Sequence, residues 1–442
     1  VRVLNRRARS DGSSRARPTP ATGRALCAAL ALVCCAGGCT GRNAERAAVQ
    51  KVLDRQAAAV RDGDEHAYLA TFDTRDAGAR GERRQVFRNL RRLPLAEWSY
   101  RTTAVRRARS GDRATVEATL RYRLAGYDRT TTEDRERFRF VRRGGAWRLA
   151  GEASGSAQQL WEQGAMSVRR GRHSLVLGVG RDEAGMRALA RVADRAVPAV
   201  GRTWPGSWSR RLVLEAPSSV GDMARMLSAP AGSYEGIAAV TTGEEGTGEG
   251  ADGDGPADRI LINPQAYAEL SEEGRQVVVT HEATHVATRE ETTPATPMWL
   301  SEGFADLAGN RTSQQRPREL APELAAAVDE KGDRHPALRS LPTDRDFRFG
   351  NDARQLAYAY EGGWLACRLI ARDWGAEKLT AFYEAAGRHR GDDDSGDDGS
   401  AGAGADADDG SATAAALRSV LGVSTGEFTA RWRAYVVEEL RA

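Results

Sequence analysis

The chain has 442 residues, enough for two or three domains, and is 40% hydrophobic and 29% charged, the balance of an ordinary folded protein. With 47 glycines and 15 prolines it is neither collagen-like nor disordered throughout, and no apolar run reaches the roughly 20 residues that cross a bilayer as a helix. The formal charge is +4, from 65 basic and 61 acidic residues. Only Lys51, Lys331 and Lys378 are lysines, so the positive charge is almost entirely arginine.

Arg2, Arg6, Arg7, Arg9, Arg15, Arg17 and Arg24 precede an apolar run over 25–36, which leads into Gly37, Gly38 and Cys39. A basic stretch, a short apolar stretch and small residues read as a secretory signal over 1–38. Ala36-Gly37-Gly38-Cys39 resembles the lipobox of bacterial lipoproteins. That resemblance implies acylation of Cys39, a short linker over 39–43 and a place at the outer face of the cell membrane. Plain cleavage, leaving a secreted protein, is the alternative. Two acyl chains suffice for stable anchoring. Without residues 1–38 the chain carries 58 basic and 60 acidic residues, so the overall positive charge belongs to the export signal. Four of the five cysteines lie at or before Cys39. The fifth, Cys367, sits in the apolar helical run 360–370 and reads as a buried thiol.

Residues 44–152 are helical first and strand-like after. Ala48, Val49, Val52, Leu53, Ala57 and Val60 recur at helical spacing, a turn follows at Asp62-Gly63-Asp64, and alternation marks strands at 115–122, 135–141 and 147–149. Helices leading into a curved antiparallel sheet resemble the nuclear-transport-factor-2-like fold, which implies a conical pocket but no particular activity. His66, the segment's one histidine, reads as a surface or capping residue. Arg121, Arg123, Arg135, Arg137 and Arg139 alternate along the strands as a solvated sheet face does. Residues 39–150 carry a net +11, which suits attraction to anionic lipid headgroups. Nucleic acid is not an expected partner.

From 156 to 442 the pattern is mixed. Strands are expected at 174–179, 211–215, 237–240 and 259–262, helices at 183–197 and 220–227, and helix and loop after 272. A polar loop spans 242–257. Residues 391–411 hold eight aspartates among Gly, Ala and Ser, a composition that cannot bury a core and reads as a disordered insertion. They lack the spaced ligands of a calcium loop. Helical pattern resumes over 414–421 and 427–440. The expected class is α+β: helices with a curved antiparallel sheet, then a mixed-sheet subdomain, then a mainly helical subdomain.

The chemistry is concentrated at Val277-Val278-Val279-Thr280-His281-Glu282-Ala283-Thr284-His285-Val286-Ala287, an HExxH motif. Residues four apart on a helix face the same way, so His281 and His285 are spaced to take one metal ion. Glu282, turned about 100° from His281, is placed as general base toward a water. Downstream, Pro297-Met298-Trp299-Leu300-Ser301-Glu302-Gly303-Phe304-Ala305-Asp306 puts a carboxylate on a second apolar helix. Two histidines and a glutamate are a standard catalytic zinc set. Asp306, one turn beyond Glu302, can accept a hydrogen bond from a ligating histidine.

His281–His285 with Glu302 resembles the gluzincin metallopeptidases. Trp299-Leu300-Ser301-Glu302-Gly303-Phe304-Ala305 is similar to the WLNEGFA segment of the gluzincin aminopeptidases, and Glu302…Asp306 to the ExxxD of thermolysin-like enzymes. The overall layout resembles bacterial proteins with a peptidase MA-like domain. Tyr358-Ala359-Tyr360-Glu361-Gly362-Gly363 is similar to the aminopeptidase YEKG segment, which implies oxyanion stabilisation by Tyr360, with Tyr358 as substitute. Nothing over 230–270 matches the GxMEN segment that holds a substrate's free amine in those enzymes. The resemblance implies a zinc-dependent peptidase acting on peptides or proteins. The alternative is a binding or scaffold lipoprotein with a relic peptidase domain.

Overall fold

The computed structural model describes residues 34–73, 75, 78–156, 158–244, 257–348, 352–388 and 412–441, apart from the side chains of 34–42, 231 and 243–244. The expected signal up to residue 33, the Cys39 side chain, His389, the insertion 391–411 and most of the polar loop 242–257 lie outside the described residues.

Three helices, α1 (Cys34–Asp62), α2 (Glu65–Ala70) and α3 (Ala79–Leu90), lead into four strands, β1 (Leu95–Arg107), β2 (Arg113–Leu124), β3 (Thr132–Arg143) and β4 (Ala146–Glu152). The strands pair antiparallel in the order β1-β2-β3-β4. The Asp64 carboxylate caps α2 by accepting from the Ala67 N–H at 2.9 Å. Along β2 burial alternates strictly. Val116, Ala118, Leu120, Tyr122 and Leu124 face inward against Val49, Val52, Leu53 and Val60 of α1. Arg121 lies on the other face, 3.3 Å from Glu133 across the ladder. Register shifts at Leu95/Glu97, Thr102/Ala104 and Arg139/Phe140 bend the sheet, because an extra residue on one strand increases local twist. His66 is exposed.

The second sheet is built from β5 (Met166–Arg170), β6 (Ser174–Val179), β7 (Leu212–Ala216), β8 (Ala239–Glu244) and β9 (Ala257–Ile262), in the order β5-β6-β7-β9-β8. Strands β6, β7 and β9 run parallel and the two edge strands antiparallel. Helices α4 (Glu183–Val200) and α5 (Val220–Met226) form the crossovers. The strand expected at 237–240 starts at Ala239 and continues to Glu244, into the expected polar loop.

The rest is helical: α6 (Pro264–Glu269), α7 (Glu272–Thr288), α8 (Met298–Gly309), α9 (Pro317–Leu320), α10 (Pro322–Lys331), α11 (Ala353–Asp373), α12 (Ala376–Arg388) and α13 (Thr425–Arg441), with a π-helical turn at Leu417–Leu421. This is the expected α+β class: an antiparallel sheet, a mixed sheet and a helical C-terminal region. Cys367 on α11 is fully buried, as its apolar setting implies.

Strand β6 is apolar on both faces, as an inner parallel strand should be. Leu175, Leu177 and Val179 join the core of the first sheet, whereas Val176 packs with Met186, Leu189 and Ala193 of α4 in the core of the helical half. The mixed sheet is therefore a wall between two cores. Polar groups lock the seam. Asn89, fully buried, donates to the carbonyls of Trp161 and Gly164 and accepts from the Met166 N–H at 3.1 Å. Arg259 of β9 makes a two-pronged ion pair with Asp128, at 2.7 and 2.9 Å, with Glu215 of β7 3.9 Å away. Burial pushes the Glu215 carboxyl up to about 7, against the pull of Arg259.

Candidate metal centre

Helix α7 begins on a strong local signal. Ser271 accepts the Gly274 N–H at 3.0 Å, and Glu272 and Glu273 sit in the first turn, where acidic groups favour the helix dipole. The helix then runs into the interior between α4 and α8, and every residue from Val278 to Thr288 except the half-buried Val286 is buried. Helix α8 lacks a side-chain cap of its own, and Asp344 supplies one by accepting the Met298 N–H at 2.7 Å.

Two buried glycines let α8 and α11 approach backbone to backbone. A Cβ on Gly303 would collide with the carbonyl of Gly363, and one on Gly363 would stand 2.6 Å from the Trp299 oxygen. This contact is the physical reason for a glycine directly after Glu302 and for the second glycine of Glu361-Gly362-Gly363. Gly303→Ala should push the helices apart, displacing Glu302 and lowering stability in urea unfolding by at least the ~1–3 kcal/mol typical of overpacking.

The structure brings His281, His285 and Glu302 together, with one ligand atom from each inside a 4.8 Å span. The Nε2 atoms of the two histidines are 3.0 Å apart and lie 3.2 and 3.6 Å from Glu302 Oε2. His281 and Glu302 are fully buried and His285 nearly so. Asp306 takes the expected second place, its Oδ1 2.8 Å from His281 Nδ1. A proton on Nδ1 donated to that carboxylate leaves the Nε2 lone pair pointing at His285 and Glu302.

Two imidazole rings and a carboxylate thus converge, and neither buried Glu302 oxygen has a hydrogen-bond partner of good geometry. Such an arrangement calls for a cation. Protonation follows the same demand. Burial disfavours a charged imidazole, yet Asp306 and Glu302 outweigh it and raise His281 to about 10. Burial also opposes ionisation of Glu302, but His285 and His281 bring it down to about 2. Two imidazoles and one carboxylate, deeply buried, fit a divalent zinc ion. Among the described residues no other group of three or more metal-ligating side chains comes together in this way.

Glu282 stands beside the triad, fully buried. Its Oε2 accepts from Thr241 Oγ1 at 2.5 Å, and its Oε1 has no partner. Burial raises its pKa against the pull of both histidines. Thr241, on edge strand β8, also donates to the Glu282 backbone carbonyl at 3.1 Å. Sequence reading missed this residue. The available signal was its place on a strand whose inward-facing hydroxyl needed a partner.

Tyr360 of α11 reaches the same place. With His281 and Asp306 it lines a cavity of about 520 Å³, and its ring meets Phe347 edge-on at 5.1 Å. Burial, then Glu302, Asp306 and Glu282, hold its hydroxyl well above the usual range, so it remains a proton donor at neutral pH. Tyr358 cannot substitute for it. It lies on another side of α11, against the His335 ring at 5.7 Å and near Arg354 and Glu323, because two residues along a helix turn a side chain by about 200°. Ser301 touches Tyr383, whose hydroxyl is 3.4 Å away. No helix among the described residues is long and apolar enough to cross a membrane. The chain matches no family model, and no curated protein matches it significantly.

Proposed function

We propose that the protein is a zinc-dependent peptidase of the gluzincin type, held at the outer face of a bacterial cell membrane by an acylated Cys39. The observation that carries the catalytic reading is the buried triad His281, His285 and Glu302, with unpartnered carboxylate oxygens and Glu282 alongside. Export and anchoring rest on the arginine-rich start, the apolar run and Ala36-Gly37-Gly38-Cys39. The substrate is a peptide or protein.

His281, His285 and Glu302 would hold the zinc, which supplies Lewis acidity to the scissile carbonyl and to the attacking water. Asp306 keeps His281 in the tautomer whose Nε2 is free to bind. Glu282 takes the water's proton on Oε1 while Thr241 holds Oε2, so the carboxyl stays oriented as its charge changes. The same Oε1 then returns the proton to the departing amine, and the C–N bond breaks. Tyr360 donates its hydroxyl toward the developing oxyanion, adding to the charge stabilisation. Because Glu282 and Glu302 are fully buried, substrate access requires local opening beside the triad.

The test is elemental analysis of purified protein together with hydrolysis of a diverse peptide library. One zinc per chain is expected, with cleavage that stops on treatment with 1,10-phenanthroline and returns on adding zinc. Protein that neither retains zinc nor binds it on titration rules the reading out.

A further inference from the structure

The first sheet and the helices over it enclose a second cavity, of about 370 Å³, which takes no part in the chemistry above. That volume accommodates a small organic molecule. Tyr68, Phe72, Trp98, Tyr100, Phe138 and Trp161 contribute aromatic walls. A carboxylate is set among them. Alternation over residues 135–140 of β3 turns Glu136 inward with Phe138 and Phe140, at a position where an apolar residue would be the ordinary choice. Glu136 is 3% exposed and its Oε2 has no hydrogen-bond partner. Gln56 of α1, 4% exposed, likewise lines the cavity with an unpartnered Oε1, and Trp98, 2% exposed, with an unpartnered Nε1–H.

We propose that this cavity binds an organic cation, a protonated primary amine carried on an apolar body the size of one ring. Two buried acceptors without donors match ammonium N–H groups, and aromatic faces attract a cation through their quadrupoles. Charge selects the same ligand. Glu162 stands at mid-depth and Glu82 and Glu152 at the rim, against Arg83 and Arg139. Arg83 donates to the carbonyls of Asp73 and Ala150 and lies over the Phe72 ring, and Arg139 is exposed. The lining holds four carboxyl groups against two guanidinium groups, a balance that favours a cation over an anion. A neutral apolar ligand would leave the acceptors of Gln56 and Glu136 unpaired. The Trp98 N–H suits an oxygen at the far end of the ligand. In support, burial and then Glu152 and Asp134 hold the Glu136 carboxyl well above its usual range, a strain that a bound cation relieves.

The test uses the full chain and three probes of one shape: tyramine, a cation; tyrosol, its neutral alcohol analogue; and 4-hydroxyphenylacetate, an anion. Calorimetric titration should show one tyramine per chain, bound at least about tenfold more tightly than tyrosol, with no binding of the anion. Glu136→Gln keeps the shape and removes the group that can ionise against a bound cation. It should cut tyramine affinity about tenfold and leave tyrosol unchanged. Equal affinity for tyramine and tyrosol, tighter binding of the anion, or no binding of any probe up to about 10 mM overturns the proposal. The comparison of probes on unmodified protein stands whether or not the variant folds.

Discussion

Glu282→Gln should reduce peptide hydrolysis by about 10²–10⁴-fold, the usual worth of a positioned general base, while zinc content stays at that of the unmodified protein. The two readouts separate because Glu282 belongs to a different set of contacts from the candidate ligands. Its Oε2 is held by Thr241 and its Oε1 is free, whereas the ligand atoms of His281, His285 and Glu302 face one another. Glutamine keeps the Thr241 contact and the volume but cannot accept a proton. Stability should not fall, since burial already disfavours the charged form of this side chain. Hydrolysis at the unmodified rate would show that the base is another group, and joint loss of zinc and activity would make Glu282 a ligand.

Arg259→Met should be the most damaging substitution for the fold outside the site, with a loss of about 3–5 kcal/mol in urea unfolding at pH 7. It leaves Asp128 and Glu215 facing an apolar space with no cation, and all three side chains are almost completely buried. The deficit should depend on pH in a defined direction. In the variant the Glu215 carboxyl has lost the one neighbour that pulled its pKa down, so it stands further above its unfolded value than it does with Arg259 present. Its protonated form preserves stability below the unfolded value, and that stability is lost as pH rises through the raised one. Glu215 reaches about 7 even with Arg259 present. The gap between variant and unmodified protein should therefore be smaller at pH 5 than at pH 7. A gap that is constant across that range would mean that packing, and not charge, is what Arg259 supplies.

The candidate metal cluster was legible because it is written in helical spacing. His281 and His285 are one turn apart on α7, Glu302 and Asp306 one turn apart on α8, and both helices are apolar around them. The elements that went unread are those whose apolar signal is thin or interrupted. Helix α3 has only Val86, Phe87 and Leu90 among arginines and polar residues. In β1, two bulges break the alternation that would have linked Trp98 to its neighbours. The short edge strand β5 has only Met166 buried. Thr241 and the glycine contact between α8 and α11 depend on pairs of residues 41 and 60 positions apart in sequence. Local pattern has no access to such pairs. Glu136 was hidden by its own strand, where the flanking arginines mark a wet face and distract from the carboxylate on the other side.

The double coverage of the mixed sheet bears on how such a chain can change over evolutionary time. In β6, Leu175, Leu177 and Val179 answer to the first sheet and its helices, and Val176 between them answers to α4. Any ancestor or recombinant that exchanged the first 150 residues for another unit would have to rewrite every second residue of β6, Val213 beside it, and the Arg259 that reaches across to Asp128. The two halves are thus poor candidates for independent shuffling. They are expected to be inherited together, with alternate positions of one strand drifting in step with different partners.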